Sequence, residues 1–378
     1  MTSAAPSLPP RQFSASEFVK IDLTDKIEEE DLPSYVAENY YPVHIGEVFA
    51  SRYQVVSKLG YGMSSTAWLC RDLRDHGYNT LKICIRGQRP DQEIAVSDHL
   101  KKASDHFGKR LVRLVLDSFD ISGPCGNHTC LVYQPLGMSF TELQRLCPDS
   151  KLPEDLLQKS VQLTLISLAF VHENDVVHTG QFCLLIGYTK FADALQDIST
   201  NNLLQGVGDT SVLRQIEEDE ITRPIARKIL DYREIYFSRP VPISEGLPVL
   251  SDFGEARIGK VKQRGDIMPG IYRAPEVILD MEWNNKVDIW SMGVMAWDMA
   301  AGGHLFYAKK EGILNDEQHL AEMEIGKVLC PYRNNHWKCG LSNITVKIES
   351  SFWASYEGFY AGYQRRDLLR KNLPTTSF

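Results

Sequence analysis

The feature that most constrains this chain is a change of hydrophobic period near residue 135. From Tyr53 to Tyr133 the sequence runs in short β-branched and aromatic segments, YQVVSKLG, STAWLCRDL, NTLKICI and HTCLVYQ, punctuated by Gly and Asn. Such segments predict strands, with one helical stretch over 91–104 between them. From Leu136 to about Ala300 apolar residues recur at three and four, as in PEDLLQKSVQLTLISLAFVH, where Pro153 stands at a helix start. A small β-rich unit therefore precedes a larger α-rich one, an α+β organisation. Ahead of both, residues 1–34 are rich in Ser, Pro and Ala and then acidic at Glu28, Glu29, Glu30 and Asp31. That is the composition of a disordered lead-in, with order expected to start near Tyr35.

Bulk properties narrow the function classes. The chain has 378 residues, 43% of them hydrophobic, enough for one large or two ordinary domains with a real core. A formal net charge of −8 argues against a nucleic-acid footprint and suits a basic protein or peptide partner. The 8 cysteines are scattered without CxxC pairs, which points to a reducing, intracellular setting. No apolar run reaches the roughly 18 residues a membrane helix requires, so a soluble protein is expected.

Several short motifs carry chemistry. LGYGMSSTAWLC places Gly60 and Gly62 between two strand-like runs, where a hairpin with exposed backbone amides can close over phosphates. Lys82 in TLKICI lies on a strand whose alternation turns it away from Leu81 and Ile83, a position from which a lysine reaches phosphates as a point charge. Glu93 follows on the helical stretch at a spacing suited to pairing with Lys82. In LSDFGEARIG, Asp252 succeeds the buried-strand run PVL and precedes Phe253 and Gly254, so it is placed as a magnesium ligand with a glycine hinge behind it. YRAPEV, with Ala274, Pro275 and Glu276, and VDIWSMGVMAW, with Asp288 and Trp290, follow in order.

On these motifs, and on YYPVHIGEVFASRYQVVSKLGYG, CLVYQPLGMSF, VVHT, DIMPGIYRAPEVIL and HLFYA, the chain resembles the eukaryotic protein kinases over about residues 53–323, and within them the SR-protein kinases. The resemblance implies a two-lobed protein-kinase-like fold: an N-lobe with its extension over 35–136, a C-lobe over 137–330 and a divergent tail over 331–378. It implies ATP and Mg2+ in the cleft, with Leu59, Gly60, Tyr61, Gly62, Ala67 and Lys82 around the nucleotide and a hinge from Tyr133 to Leu136. Glu93 would orient Lys82, and Asn202 and Asp252 would hold metal. The implied activity is serine/threonine phosphorylation of basic arginine/serine-rich proteins, with a role in mRNA processing. A monomer in cytoplasm and nucleus, without direct nucleic-acid or membrane contact, goes with that reading. Between Gly254 and Ala274 there is no serine or threonine and Tyr272 is the only hydroxyl, which excludes threonine-type phosphorylation of this segment. Thr179 stands where most kinases carry the arginine that binds such a phosphate.

The motif VVHT begins like a kinase catalytic loop, which needs an aspartate two positions after the histidine, yet Gly180 stands there. The base must be an Asp with an Asn five residues on, the Asp taking the substrate proton and the Asn a metal ion. Asp175 and Asp193 fail, since Gly180 and Ile198 occupy those places, whereas Asp197 is followed by Asn202. Asp197 is therefore the expected base, separated from His178 by residues 180–196. That string is either an insertion looped into solvent or intron sequence translated in frame. The second account is favoured, because QFCLLIGY is too apolar for an exposed loop. A displaced base would leave a catalytically impaired pseudokinase that holds ATP and basic peptides, the alternative to an active enzyme. After HLAEM, 319–323, the expected helical register and the arginine that would pair with Glu276 are lost, so a poorly packed end of the C-lobe is expected.

Overall fold

A computed structural model describes residues 7–14, 16–180, 200–260, 262–268 and 270–333, apart from the side chains of Thr200 and of 325–333. Six antiparallel strands build the small lobe: β1 (Val48–Phe49), β2 (Tyr53–Tyr61), β3 (Ser65–Asp72), β4 (Tyr78–Cys84), β5 (Asp117–Gly123) and β6 (Gly126–Tyr133), in the order β1-β2-β3-β4-β6-β5. Successive side chains on a strand face opposite ways. Val55, Trp68, Cys70, Leu81 and Ile83 thus form one packed face, while Val56 and Leu69 form a second. Helix α1 (Asp91–Lys101) crosses behind the sheet, and its Val96 and Leu100 enter a core shared with Phe140, Leu168 and Phe253 of the large lobe.

The chain passes through Gln134 and Pro135 into β7 (Leu136–Ser139). Ser139 caps α2 (Phe140–Leu146) and Glu142 returns a bond to its backbone, so two of the donors orphaned at the helix start find acceptors. Pro153 is the residue before α3 (Glu154–Glu173), as expected, and Leu157, Val161, Leu168 and Val171 form its buried stripe. Beyond α3 come β8 (Val176–Val177) and β9 (Leu203–Gly206).

After β9 the chain leaves the large lobe, a step the periodicity did not reveal. Helix α4 (Ser211–Thr222) and the hairpin of β10 (Arg227–Leu230) and β11 (Arg233–Tyr236) lie against the small lobe. Leu213, Ile216 and Val241 cover Val56 and Leu69, and Tyr236 completes the core on the opposite face of the sheet. Burying a leucine or isoleucine fully is worth about 1.5–3 kcal/mol, so this excursion is part of the small lobe's stability. A single division of the lobes near residue 136 therefore does not describe the packing of residues 211–241.

The expectation of a disordered lead-in is corrected in the same region. Of residues 1–34, those from Ser7 on are described apart from Ala15, and Glu29 is buried at 3% relative exposure. Glu29 meets Lys58 of β2 and Arg233 of β11, Glu30 meets Lys228, and Glu28 accepts from Ser238. An acidic run reads as solvated when taken alone. Here its counter-ions are supplied by residues far along the chain, and a fully buried Lys58 would be untenable without them.

The chain returns through β12 (Pro248–Leu250), which joins β9 and β7 in a three-stranded sheet, and β13 (Arg257–Ile258), which pairs with β8. Then follow α5 (Pro275–Ile278), α6 (Lys286–Ala301) and α7 (Asp316–Arg333). Gly302 ends α6 with φ of 74°, its N–H bonding the Asp298 carbonyl; an added Cβ would lie 2.2 Å from the Asp149 carbonyl oxygen. Helix α7 continues to Arg333, so the helical register does not end at Met323 as expected.

Candidate active site

Strand register assembles the nucleotide side of the cleft. Gly60 pairs with Ala67 across β2 and β3, and Ala67 pairs with Lys82 across β3 and β4, so the three form one row on one face of the sheet. A Cβ at Gly60 would meet nothing within 4 Å, which leaves the backbone there open to a ligand. Tyr61, at the tip, is exposed, whereas Leu59 packs partly against the cluster of Val56 and Leu69. The hydroxyl of Tyr40 donates to the Gly62 carbonyl at 3.1 Å, and the Arg239 N–H donates to the Lys58 carbonyl, so both the extension ahead of β1 and the excursion hold the glycine-bearing turn.

Leu81 and Ile83 are buried in the sheet core, and Lys82 points the other way, as alternation predicts. Its Nζ lies 2.8 Å from Glu93 Oε2 and 3.8 Å from Asp252 Oδ1. Burial works against the ammonium, but the carboxylates of Asp252 and Glu93 outweigh it, so the pKa of Lys82 stands above the ordinary lysine value. Asp252 sits in the left-handed region with φ of 65°. Phe253 behind it is buried beside α1 and meets the His178 ring edge-on at 4.8 Å. Asn202 is buried, and its carbonyl accepts from the N–H of Ser251, the residue before Asp252. The structure thus brings together Lys82, Glu93 and Asp252 and ties Asn202 to Asp252 through the backbone. Asp197 lies outside the described residues.

The start of the catalytic loop is held from below. Asp288, in the first turn of α6 and 5% exposed, accepts from the His178 and Thr179 N–H groups and from His172 Nε2, each at 2.8 Å. Thr179 is fully buried with φ of 62°, a conformation that costs a β-branched residue about 1–3 kcal/mol. Its hydroxyl donates to the Glu255 carbonyl at 2.7 Å, fastening the segment after Asp252 to the loop. Gln92 of α1 adds a bond to the Ala256 carbonyl at 2.7 Å. The single hydroxyl of the following segment, Tyr272, is buried and donates to Asp298 at 2.6 Å. For Glu276 burial pushes the carboxyl pKa up, and none of the described arginines pairs with it.

Sequence reasoning quoted Asp288 only as part of a motif and missed the roles of Tyr40, Lys58 and Arg239. A signal existed for one of them: a lysine inside the apolar strand VVSKLG demands a counter-ion. Tyr133 also differs from expectation. It ends β6 with its side chain directed at Glu93, and only Gln134 and Pro135 lie between β6 and β7.

The model for the protein kinase domain matches residues 243–350, past the point where the family pattern was expected to fail. A serine/threonine protein kinase of Aspergillus fumigatus is 42% identical over 327 residues, covering 84% of this chain and 75% of the relative. The serine/threonine-protein kinase SRPK of Physarum polycephalum is 29% identical over 317 residues, 80% and 72% of the two chains. SRSF protein kinase 3 of Mus musculus is 32% identical over 204 residues, 52% of this chain and 33% of that one. Among solved structures, the crystal structure of a kinase domain superposes with a TM-score of 0.54 at 20% identity, covering 76% of this chain and 73% of the other. The chain belongs to the protein kinase family, with its two-lobed α+β fold. Within that family it is a serine/threonine protein kinase.

Proposed function

We propose that this kinase transfers the γ-phosphoryl group of ATP to serines in basic, arginine/serine-rich proteins, and so acts on components of mRNA processing. The observation that carries the nucleotide half is the triad of a buried Glu93 with half-buried Lys82 and Asp252, beneath an open glycine turn. The donor set suits Mg·ATP: one carboxylate and one amide, Asp252 and Asn202, with the remaining ligands left to phosphate and water. When bound, ATP supplies the phosphoryl group and Mg2+ neutralises charge on its oxygens. Lys82 would hold the α and β phosphates, and Glu93 would keep Lys82 aimed. Asp197 would accept the serine proton as the serine oxygen bonds to the γ-phosphorus and the bond from that phosphorus to the β-phosphate oxygen breaks, releasing ADP. The substrate half rests on the kinases named SRPK and SRSF protein kinase among the relatives, and on a net charge of −8, which suits a cationic substrate.

The test is transfer of labelled phosphate to an arginine/serine peptide by the full chain, by Asp252→Ala, and by the chain lacking 180–196. Label on serine with the full chain, lost in Asp252→Ala, is the expected result. A full chain that binds Mg·ATP but leaves the peptide unlabelled, while the shortened chain labels it, overturns the reading for this polypeptide in favour of a nucleotide- and peptide-binding pseudokinase.

A further inference from the structure

The mechanism so far uses one oxygen of Glu93. Its other oxygen, Oε1, accepts from the hydroxyl of Tyr133 at 2.5 Å. Glu93 and Tyr133 are both buried, at 5% and 2% relative exposure, so neither group has water to fall back on. A carboxylate with one oxygen held by an ammonium and the other by a phenol cannot rotate about its terminal bond without losing one of them. The phenol is locked in turn: the Arg113 guanidinium lies 4.6 Å from the ring centroid, and its Nη2 is 3.4 Å from the Gln134 carbonyl between the lobes. Among the described residues Arg113 has no carboxylate at ion-pair distance, and its buried Nε has no hydrogen-bond partner. Beside the Gln134 carbonyl, the ring face is what compensates the Arg113 charge, and a cation–π contact strengthens as its cation is desolvated. Burial and the neighbouring Glu93 charge push the Tyr133 hydroxyl pKa far up, so the phenol remains a donor at every working pH.

We infer that Tyr133 is a positioning residue for the nucleotide site: held by Arg113 against the Gln134 carbonyl, its hydroxyl fixes Glu93, and Glu93 fixes Lys82 for the ATP phosphates. The relay Arg113–Tyr133–Glu93–Lys82 ties the segment between the lobes to phosphate binding without any modification of the chain. The inference rests on the ATP reading above.

The experiment is calorimetric binding of Mg·ATP to the full chain, reading stoichiometry and dissociation constant separately. Tyr133→Phe keeps the ring and its contact with Arg113 but deletes the hydroxyl. Loss of a hydrogen bond to a charged group predicts a dissociation constant raised about tenfold at unchanged stoichiometry. Arg113→Met should raise it about threefold, with Arg113→Lys recovering most of that. Because Tyr133 acts through Glu93, the Tyr133→Phe/Glu93→Gln double variant should bind no more weakly than Glu93→Gln alone. A Tyr133→Phe protein that binds within twofold of wild type, or a double variant whose two effects multiply, overturns the relay. Lowered stoichiometry at an unchanged constant means a merely structural role and overturns it as well. If Tyr133→Phe fails to fold, the Arg113 pair decides: equal binding by Arg113→Met and wild type refutes it. A wild type that binds no Mg·ATP refutes the ATP reading instead.

Discussion

Replacing Asp288 by alanine removes the acceptor for three donors at once: the N–H groups of His178 and Thr179 and the Nε2–H of His172. His178 and Thr179 are buried, so both amides would be stranded away from water. Each stranded donor costs about 1–3 kcal/mol, and the loss of a buried charged acceptor as a whole about 3–5 kcal/mol. In a lobe of this size that corresponds to a fall in melting temperature of roughly 10 °C. Thr179 also loses the contact that holds its left-handed backbone, so the loop should relax toward an extended conformation and carry with it the segment after Asp252, which the Thr179 hydroxyl fastens at Glu255. A shift of about 1 Å at such a site costs about a hundredfold in rate. The assay is thermal unfolding of Asp288→Ala beside wild type, with phosphoryl transfer to an arginine/serine peptide measured well below both transitions. An unchanged melting temperature would refute the energetic argument. A lowered one with full activity per folded molecule would refute the claim that Asp288 positions the loop.

The pairing of lead-in and small lobe makes Glu29→Leu and Lys58→Met each destabilising by about 3–5 kcal/mol in urea unfolding, with the double variant losing less than the two losses added, the remaining loss coming from Arg233, which Glu29 also holds; simple addition of the two losses would show that the groups do not act as a pair. At Gly246 an added Cβ would stand 1.9 Å from the Gly206 carbonyl oxygen, so Gly246→Ala should cost about 1–3 kcal/mol where the excursion rejoins the large lobe, read in the same experiment. His319 is buried against Phe306, and burial lowers its pKa from 6.5 to about 4. The unfolded chain then takes up a proton near pH 6.5 that the native state refuses until about pH 4. Stability from this group is present above the unfolded pKa and is lost as pH falls through that window, by about 2 kcal/mol between pH 7 and 5. His319→Phe should flatten that part of the stability profile, and an unchanged slope would contradict the assignment.

What could be read in advance follows the range of the interactions concerned. Lys82 was legible because its orientation depends on the strand period alone, and Asp252 because a buried strand and a glycine flank it. Glu93 followed from helix position. Tyr133 was placed at the start of the hinge, but nothing local reveals that its hydroxyl reaches Glu93 of α1. The acidic run Glu28–Asp31 was misread for the same reason: its partners, Lys58, Lys228, Arg233 and Ser238, come from elements remote in sequence.

By itself the amino-acid sequence determined the two lobes, the order in which Gly60, Gly62, Lys82, Glu93 and Asp252 follow one another and the absence of a threonine switch, because these depend on periodicity and residue chemistry that survive in any extended chain. Only the tertiary structure decided that residues 211–241 return to the small lobe, that the lead-in is clamped by buried cations, and that Asp288 and Tyr133 hold the loop and Glu93. Those assignments need desolvated groups from distant positions to find one another. Burial makes such pairs decisive, and sequence separation keeps them out of view until the chain has folded.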